Sequence, residues 1–183
     1  MTQPLSSLVH RVAELLKQTK TRIVFAESCT AGLVSAALGR TPGISDFHCG
    51  SAVVYRLDTK TQWLGVDEDF LQNPGPVSVE VAEAMARGVL ERTPEAQLSA
   101  VITGHLGPQA PHGQDGLIFV GIGRRQGASI SIQTTRHVLS AVIERNDFAA
   151  DSLREWRQWK AAEQVLLRVQ EALSNAGFPP ARE

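Results

Sequence analysis

Apolar residues recur at helical spacing at the start of the chain. Leu5, Leu8, Val9, Val12, Leu15 and Leu16 fall on one face, with Pro4 near the start, where a proline is tolerated. This predicts an amphipathic helix. The run RIVFA (22–26) is β-branched and aromatic and predicts a buried strand. A helix from about 30 to 38 follows and stops at the breakers of GRTPG. SAVVY (51–55) reads as a second strand, TKTQWLGV as a short helix and NPGP (73–76) as a turn. Ser78 then stands as an N-cap, with Glu80 in the first turn where the helix dipole favours negative charge. Val81, Ala82, Met85, Ala86 and Val89 form the buried stripe of that helix. LSAVIT (98–103) is a third strand running into a Gly/Pro-rich loop, 104–116. LIFVGIG and ASISIQT, joined by a glycine-containing link, read as two paired strands. A long helix from about 151 to 173 buries Leu153, Trp156, Leu166 and Leu173.

The order is α-β-α-β-α-β-β-β-α. Helices between the early strands imply crossovers and therefore a largely parallel sheet covered on both faces, with the later strands adding antiparallel edges. The expected fold is one α/β domain, three-layer α/β/α, over 1–176, followed by a loose tail, 177–183. No linker divides it.

Composition narrows the class. With 43% hydrophobic and 20% charged residues the chain reads as a soluble globular protein, and 183 residues suit one domain with a real core. A formal charge of −1 without blocks of like charge gives no electrostatic case for nucleic acid or an anionic membrane. The two cysteines, Cys29 and Cys49, lack metal-type spacing, and no secretory or membrane-spanning run is visible. The expected setting is the reducing cytoplasm, with both thiols free.

Ligands of such sheets bind at the carboxyl ends of the strands. Three segments fall there: Ser28 after the first strand, Tyr55 at the end of the second with Lys60 just beyond, and Thr103-Gly104 at the end of the third. A serine nucleophile needs a base, and a neutral lysine serves if burial lowers its pKa from ~10.4 to ~7–8. Tyr55 could relay or orient the proton. Backbone N–H groups at the start of the 30–38 helix would offer an oxyanion or anion site. Structural roles suit the same residues: Ser28 or Thr30 as an N-cap, Lys60 as a solvated lysine, Tyr55 as a half-buried strand residue, Cys29 as packing. A Cys29/His48 thiol pair and a metal site at His105 and His112 are further possibilities, the latter without a third ligand in view. On their own these residues point to a pocket with a candidate serine nucleophile.

The blocks AESCTAGLVSAAL, SAVVYRLDTKTQWLGV, GPVSVEVAEAMARGV and VITGHLGP resemble, in order, those of the CinA C-terminal family, also called nicotinamide-nucleotide amidase. The resemblance spans about 22 to 123. It implies hydrolysis of the carboxamide of nicotinamide mononucleotide to nicotinic acid mononucleotide and ammonia. Ser28 would be the nucleophile, Lys60 the general base and Tyr55 its partner. Thr30, Ala31, Gly32, Arg56, Thr103, Gly104 and His105 would bind the substrate. It implies no metal and no organic cofactor, a small-molecule pyridine nucleotide as partner, and a stand-alone module forming a homo-oligomer, to which Trp156 and Trp159 could contribute. Arg56, Arg22 and Arg40 are phosphate candidates by charge only.

The chain departs from the family pattern around the expected pocket. Ala31 stands for glycine, Arg56-Leu57 for a small polar pair, His105 for isoleucine and Leu106 for alanine, and the glycine pair that follows is broken up as Gln109 to Gly113. Two readings remain open: an amidase with altered or weakened activity, or a catalytically inactive module that binds a pyridine nucleotide or a protein.

Overall fold

The computed structural model describes residues 5–143 and 152–174. The expected tail lies outside them. The elements run α1 (Leu5–Thr19), β1 (Ile23–Glu27), α2 (Leu33–Gly39), β2 (His48–Val53), α3 (Leu57–Leu64), α4 (Glu68–Gln72), α5 (Val79–Glu91), β3 (Leu98–Gly104), β4 (Leu117–Gln126), β5 (Ser129–Val138) and α6 (Leu153–Ser174). The strands form one mixed sheet in the order β2-β1-β3-β4-β5. β1 pairs in parallel with β2 and β3, whereas β3–β4 and β4–β5 are antiparallel. The parallel part is thus three strands wide, and both antiparallel strands extend one side of it.

Side-chain alternation distributes the strands between two cores. Ile23 and Phe25 of β1, with Leu98, Ala100 and Ile102 of β3, face α1, α2 and α6. Val24, Ala26 and Val101 face α5 and the α3–α4 segment. The strand β1 is buried on both faces, as its apolar run requires. Its position matters for function. From β1 the chain crosses to β2 on one side and later to β3 on the other. The order therefore reverses at β1, which opens a crevice at its carboxyl end.

Several boundaries differ from the sequence expectation. α2 begins at Leu33 and not near Thr30, because Ala31 (φ 54°) and Gly32 (φ 96°) are both left-handed. β2 ends at Val53, which leaves Tyr55 beyond the strand. α4, capped by the Asp67 carboxylate, was not expected. Ser78 does cap α5, accepting from Val81 N at 3.3 Å, and the stripe Val81, Ala82, Met85, Ala86 and Val89 is buried. Leu153 is only half-buried, and Trp156 is packed inside the chain, which removes it from any interface; Trp159 is half-buried. Among the described residues no helix is long and apolar enough to cross a membrane.

Candidate active site

Ser28 follows the last residue of β1, at the crevice. Its amide donates to Ile102 O of β3 (3.0 Å), while Val54 N donates to Glu27 O (2.8 Å). The turn after β1 is therefore tied to both neighbouring segments. Lys60 lies on the inner face of α3 and is 1% exposed. Its Nζ lies 3.1 Å from Ser28 Oγ and 2.7 Å from the Val54 carbonyl. The end of α3 is seated closely on α5: a Cβ at Gly88 would come within 1.9 Å of Leu64 O, and Arg92 Nη1 donates to that carbonyl at 3.0 Å. Only a glycine lets the helix carrying Lys60 approach so far.

Burial lowers the Lys60 pKa from 10.5 to about 8, because the charged ammonium loses its hydration. The neighbouring thiol moves the other way. Burial pushes Cys29 up to about 12, so it stays protonated and does not compete as a nucleophile. Both cysteines are free. His48 makes no pair with Cys29. Its Nε2 lies 2.8 Å from Ser35 Oγ, and its Nδ1 accepts from Gly50 N (3.3 Å).

Ser28, Tyr55, Lys60, Thr103, Gly104 and His105 all line one cavity of about 210 Å³, with Leu57, Pro76, Val77 and the 106–110 stretch. Thr103 is anchored through its hydroxyl to Pro76 O (2.7 Å). Gly104 is required by space: a Cβ there would meet Ile118 Cγ2 at 2.6 Å, Leu117 O at 2.9 Å and Cys29 Sγ at 3.2 Å. Burial lowers the His105 pKa.

Other expected site residues are placed elsewhere. Thr30, Ala31, Gly32 and Arg56 do not line the cavity. The Thr30 hydroxyl donates to the buried Glu27 carboxylate (2.8 Å), so neither Thr30 nor Ser28 caps α2. The expected anion site at the start of α2 is filled by the protein itself, because Glu27 accepts from Gly32 N, Val34 N and Ser35 N. Arg56 is exposed and pairs with Asp58. Arg22 lies just before β1, at the opposite end of the sheet, and Arg40 lines a groove against α1.

The arginine in the cavity is Arg154 of α6, which the sequence reading missed. It donates to the Gly107 carbonyl and to Tyr55 Oη (2.8 Å). Tyr55, 53% exposed, is therefore oriented by Arg154, whereas the hydrogen bonds of Lys60 go to Ser28 and Val54. α6 grips the site twice more. Gln158 Nε2 donates to Cys29 O (3.2 Å), and the buried Arg157 donates to Leu106 O (3.3 Å) while pairing with Asp115 at 2.8 Å. Arg154 carried no local signal, since nothing in the spacing of a C-terminal helix points to a strand end far away in the chain.

Residues 5–155 match the model of the CinA C-terminal domain. The chain belongs to the CinA C-terminal domain family. A CinA-like protein of Chlorobium limicola is 34% identical over 166 residues, covering 88% of this chain and 38% of its own length. A CinA-like protein of Mycobacterium leprae is 46% identical over 87 residues, 48% of this chain and 20% of that protein. The chain thus spans about two fifths or less of these relatives. Among solved structures, a competence or damage-inducible protein from Enterobacter asburiae superposes with TM-score 0.79 at 25% identity, covering 94% of this chain and 99% of the other. The competence/damage inducible protein CihA of Agrobacterium tumefaciens gives 0.80 at 25% identity, covering 93% and 96%. The mixed α/β fold is shared with these family members.

Proposed function

We propose that the chain is a metal-independent amidase that hydrolyses the carboxamide of nicotinamide mononucleotide or a close relative. The observation that carries this reading is the 3.1 Å approach of Lys60 Nζ to Ser28 Oγ in a buried setting that lowers the lysine to about 8. A neutral Lys60 accepts the Ser28 proton as Oγ attacks the carboxamide carbon. The same amine, now protonated, donates to the leaving nitrogen as the C–N bond breaks and ammonia departs. Water then attacks the acyl ester, Lys60 takes its proton, and Ser28 is regenerated with the acid product released. The Val54 carbonyl holds the amine in place by accepting one N–H. Arg154 stands in the same cavity as the cation for a phosphate, and the exposed faces of Tyr55 and Leu57 supply an apolar wall for a flat ring.

The test is ammonia release from nicotinamide mononucleotide by wild type, Ser28→Ala and Lys60→Ala. Release by wild type, lost in both variants and rising through pH about 8, is expected. No release by wild type, or equal release in all three, overturns the amidase. A ligand-dependent melting shift without turnover would favour a binding module, in which the departures at Leu57, His105 and Leu106, all lining the cavity, have abolished the reaction.

A further inference from the structure

We infer that Glu27 is a positioning residue that fixes the Ser28 nucleophile; this rests on the amidase reading only in taking Ser28 as the attacking group. Glu27 is the last residue of β1 and is 1% exposed. Its carboxylate has no part in the proton transfers described above. Yet it is the acceptor for five hydrogen bonds. Oε2 accepts from Thr30 Oγ1 (2.8 Å), Gly32 N (3.0 Å) and Val34 N (3.0 Å). Oε1 accepts from Ser35 N (2.9 Å) and Ser51 Oγ (3.1 Å). The donors come from the turn after the nucleophile, from the first turn of α2 and from β2. One side chain therefore joins the three segments around Ser28.

The chemistry of the site explains the residue type. All five partners are donors, so the group between them must offer lone pairs only. The unpaired N–H groups at a helix start favour a negative charge there. A glutamine would turn an NH2 group against at least two of these donors, and an aspartate is one methylene too short to reach them all. The main chain of the same residue completes the arrangement. Glu27 O accepts from Val54 N, and Val54 O accepts from Lys60 Nζ, so nucleophile and base are both set against Val54. Ala31 N also closes the turn onto Ser28 O (3.1 Å). Loosening the carboxylate end of this arrangement moves Oγ relative to Nζ. A displacement of about 1 Å in a reacting group lowers rates by up to about a hundredfold.

The test reads Ser28 directly, without a pyridine nucleotide. A fluorophosphonate phosphorylates an activated serine: Oγ bonds to phosphorus, fluoride leaves, and the base takes the proton. Labelling rates are compared for wild type, Ser28→Ala, Glu27→Gln and the double variant Thr30→Val/Ser51→Ala, on protein shown to be folded by circular dichroism and melting. Glu27→Gln is expected to label at least about tenfold more slowly than wild type. The pH midpoint should be unchanged, because Lys60 keeps its burial and its Val54 partner. Its amidase loss should fall in kcat and not in KM. The double variant, which keeps the carboxylate and removes two donors, is expected to show a smaller slowing and decides the matter if Glu27→Gln does not fold. Folded Glu27→Gln, or in its place the folded double variant, labelling at the wild-type rate overturns the inference while leaving the amidase reading standing. Failure of wild type to label at Ser28 overturns the nucleophile assignment and this inference together.

Discussion

At the scale of single residues, Lys60 sets stability against reactivity. Its folded pKa, about 8, lies below the unfolded 10.5, so between these values the unfolded chain binds more protons and stability rises with pH. Below about 8 the burial penalty is present in full, about 3 kcal/mol. Lys60→Met removes that penalty and leaves the Val54 carbonyl without its partner, a loss of about 1–2 kcal/mol. The variant is therefore expected to melt higher than wild type at pH 7 and to release no ammonia. A lower melting temperature would show that packing and the lost hydrogen bond outweigh desolvation. Ala31 is a second case. Its backbone is left-handed (φ 54°), a conformation that suits glycine, and its methyl does not reach the cavity. The left-handed conformation disfavours alanine by about 1–2 kcal/mol, and the looser unfolded chain of glycine offsets about 0.4–1 of it. Ala31→Gly should raise stability by about 0.5–1 kcal/mol in denaturant titrations and leave KM unchanged. A changed KM would return the methyl to the ligand's path.

At the scale of elements, α6 sets the wall of the cavity. Arg154, Arg157 and Gln158 lie on one side of its first turns and hold Tyr55, the 106–107 carbonyls and the nucleophile turn. Gly107 and Gly116 (φ 68° and 76°) leave room for the Arg157 guanidinium: Cβ atoms there would stand 2.9 Å from Nη1 and 3.4 Å from Nη2. Arg157→Met should cost about 2 kcal/mol through the unpaired Leu106 and Ser140 carbonyls, and should raise KM more than it lowers kcat. Melting and steady-state kinetics check both; an unchanged KM would remove α6 from the shaping of the cavity. The Arg157 guanidinium also holds the Asp115 carboxyl below its usual range. That support is present above the unfolded carboxylate pKa and fades as pH falls through the lower folded value. Element types were legible in the sequence because apolar periodicity is a local signal. The start of α2 was not, because Ala31 and Gly32 take left-handed conformations that periodicity does not register.

At the scale of the whole molecule, the crevice at β1 gathers residues from β1, the β2–α3 segment, the loop after β3 and α6. Binding there should be read by global unfolding, since a ligand held only by the folded state stabilises all of it. Ser28→Ala, which cannot turn substrate over, should gain about 2.7 kcal/mol at a nicotinamide mononucleotide concentration one hundred times its Kd. Arg154→Ala in the same background should lose most of that shift, while Arg56→Ala should keep it. The opposite ranking in a thermal-shift titration would restore Arg56 as the phosphate ligand.

The three layers, the apolar stripes, the cap at Ser78 and the candidates Ser28, Tyr55 and Lys60 were all legible in the amino-acid sequence. Each rests on a local pattern or on a motif whose members lie within some thirty residues. The folded chain was needed to show which arginine faces the cavity, that Tyr55 is held by Arg154, and that the amides at the start of α2 are bound to Glu27. The Arg154 contact with Tyr55 spans 99 residues and exists because α6 packs across the end of β1, whereas the Glu27 contacts with these amides span only five to eight residues and exist because β1 is buried between parallel neighbours and the carboxylate turns back onto the helix start. Neither kind is legible beforehand, because burial and charge pairing at one position depend on what the rest of the chain brings to it, even for partners a few residues apart.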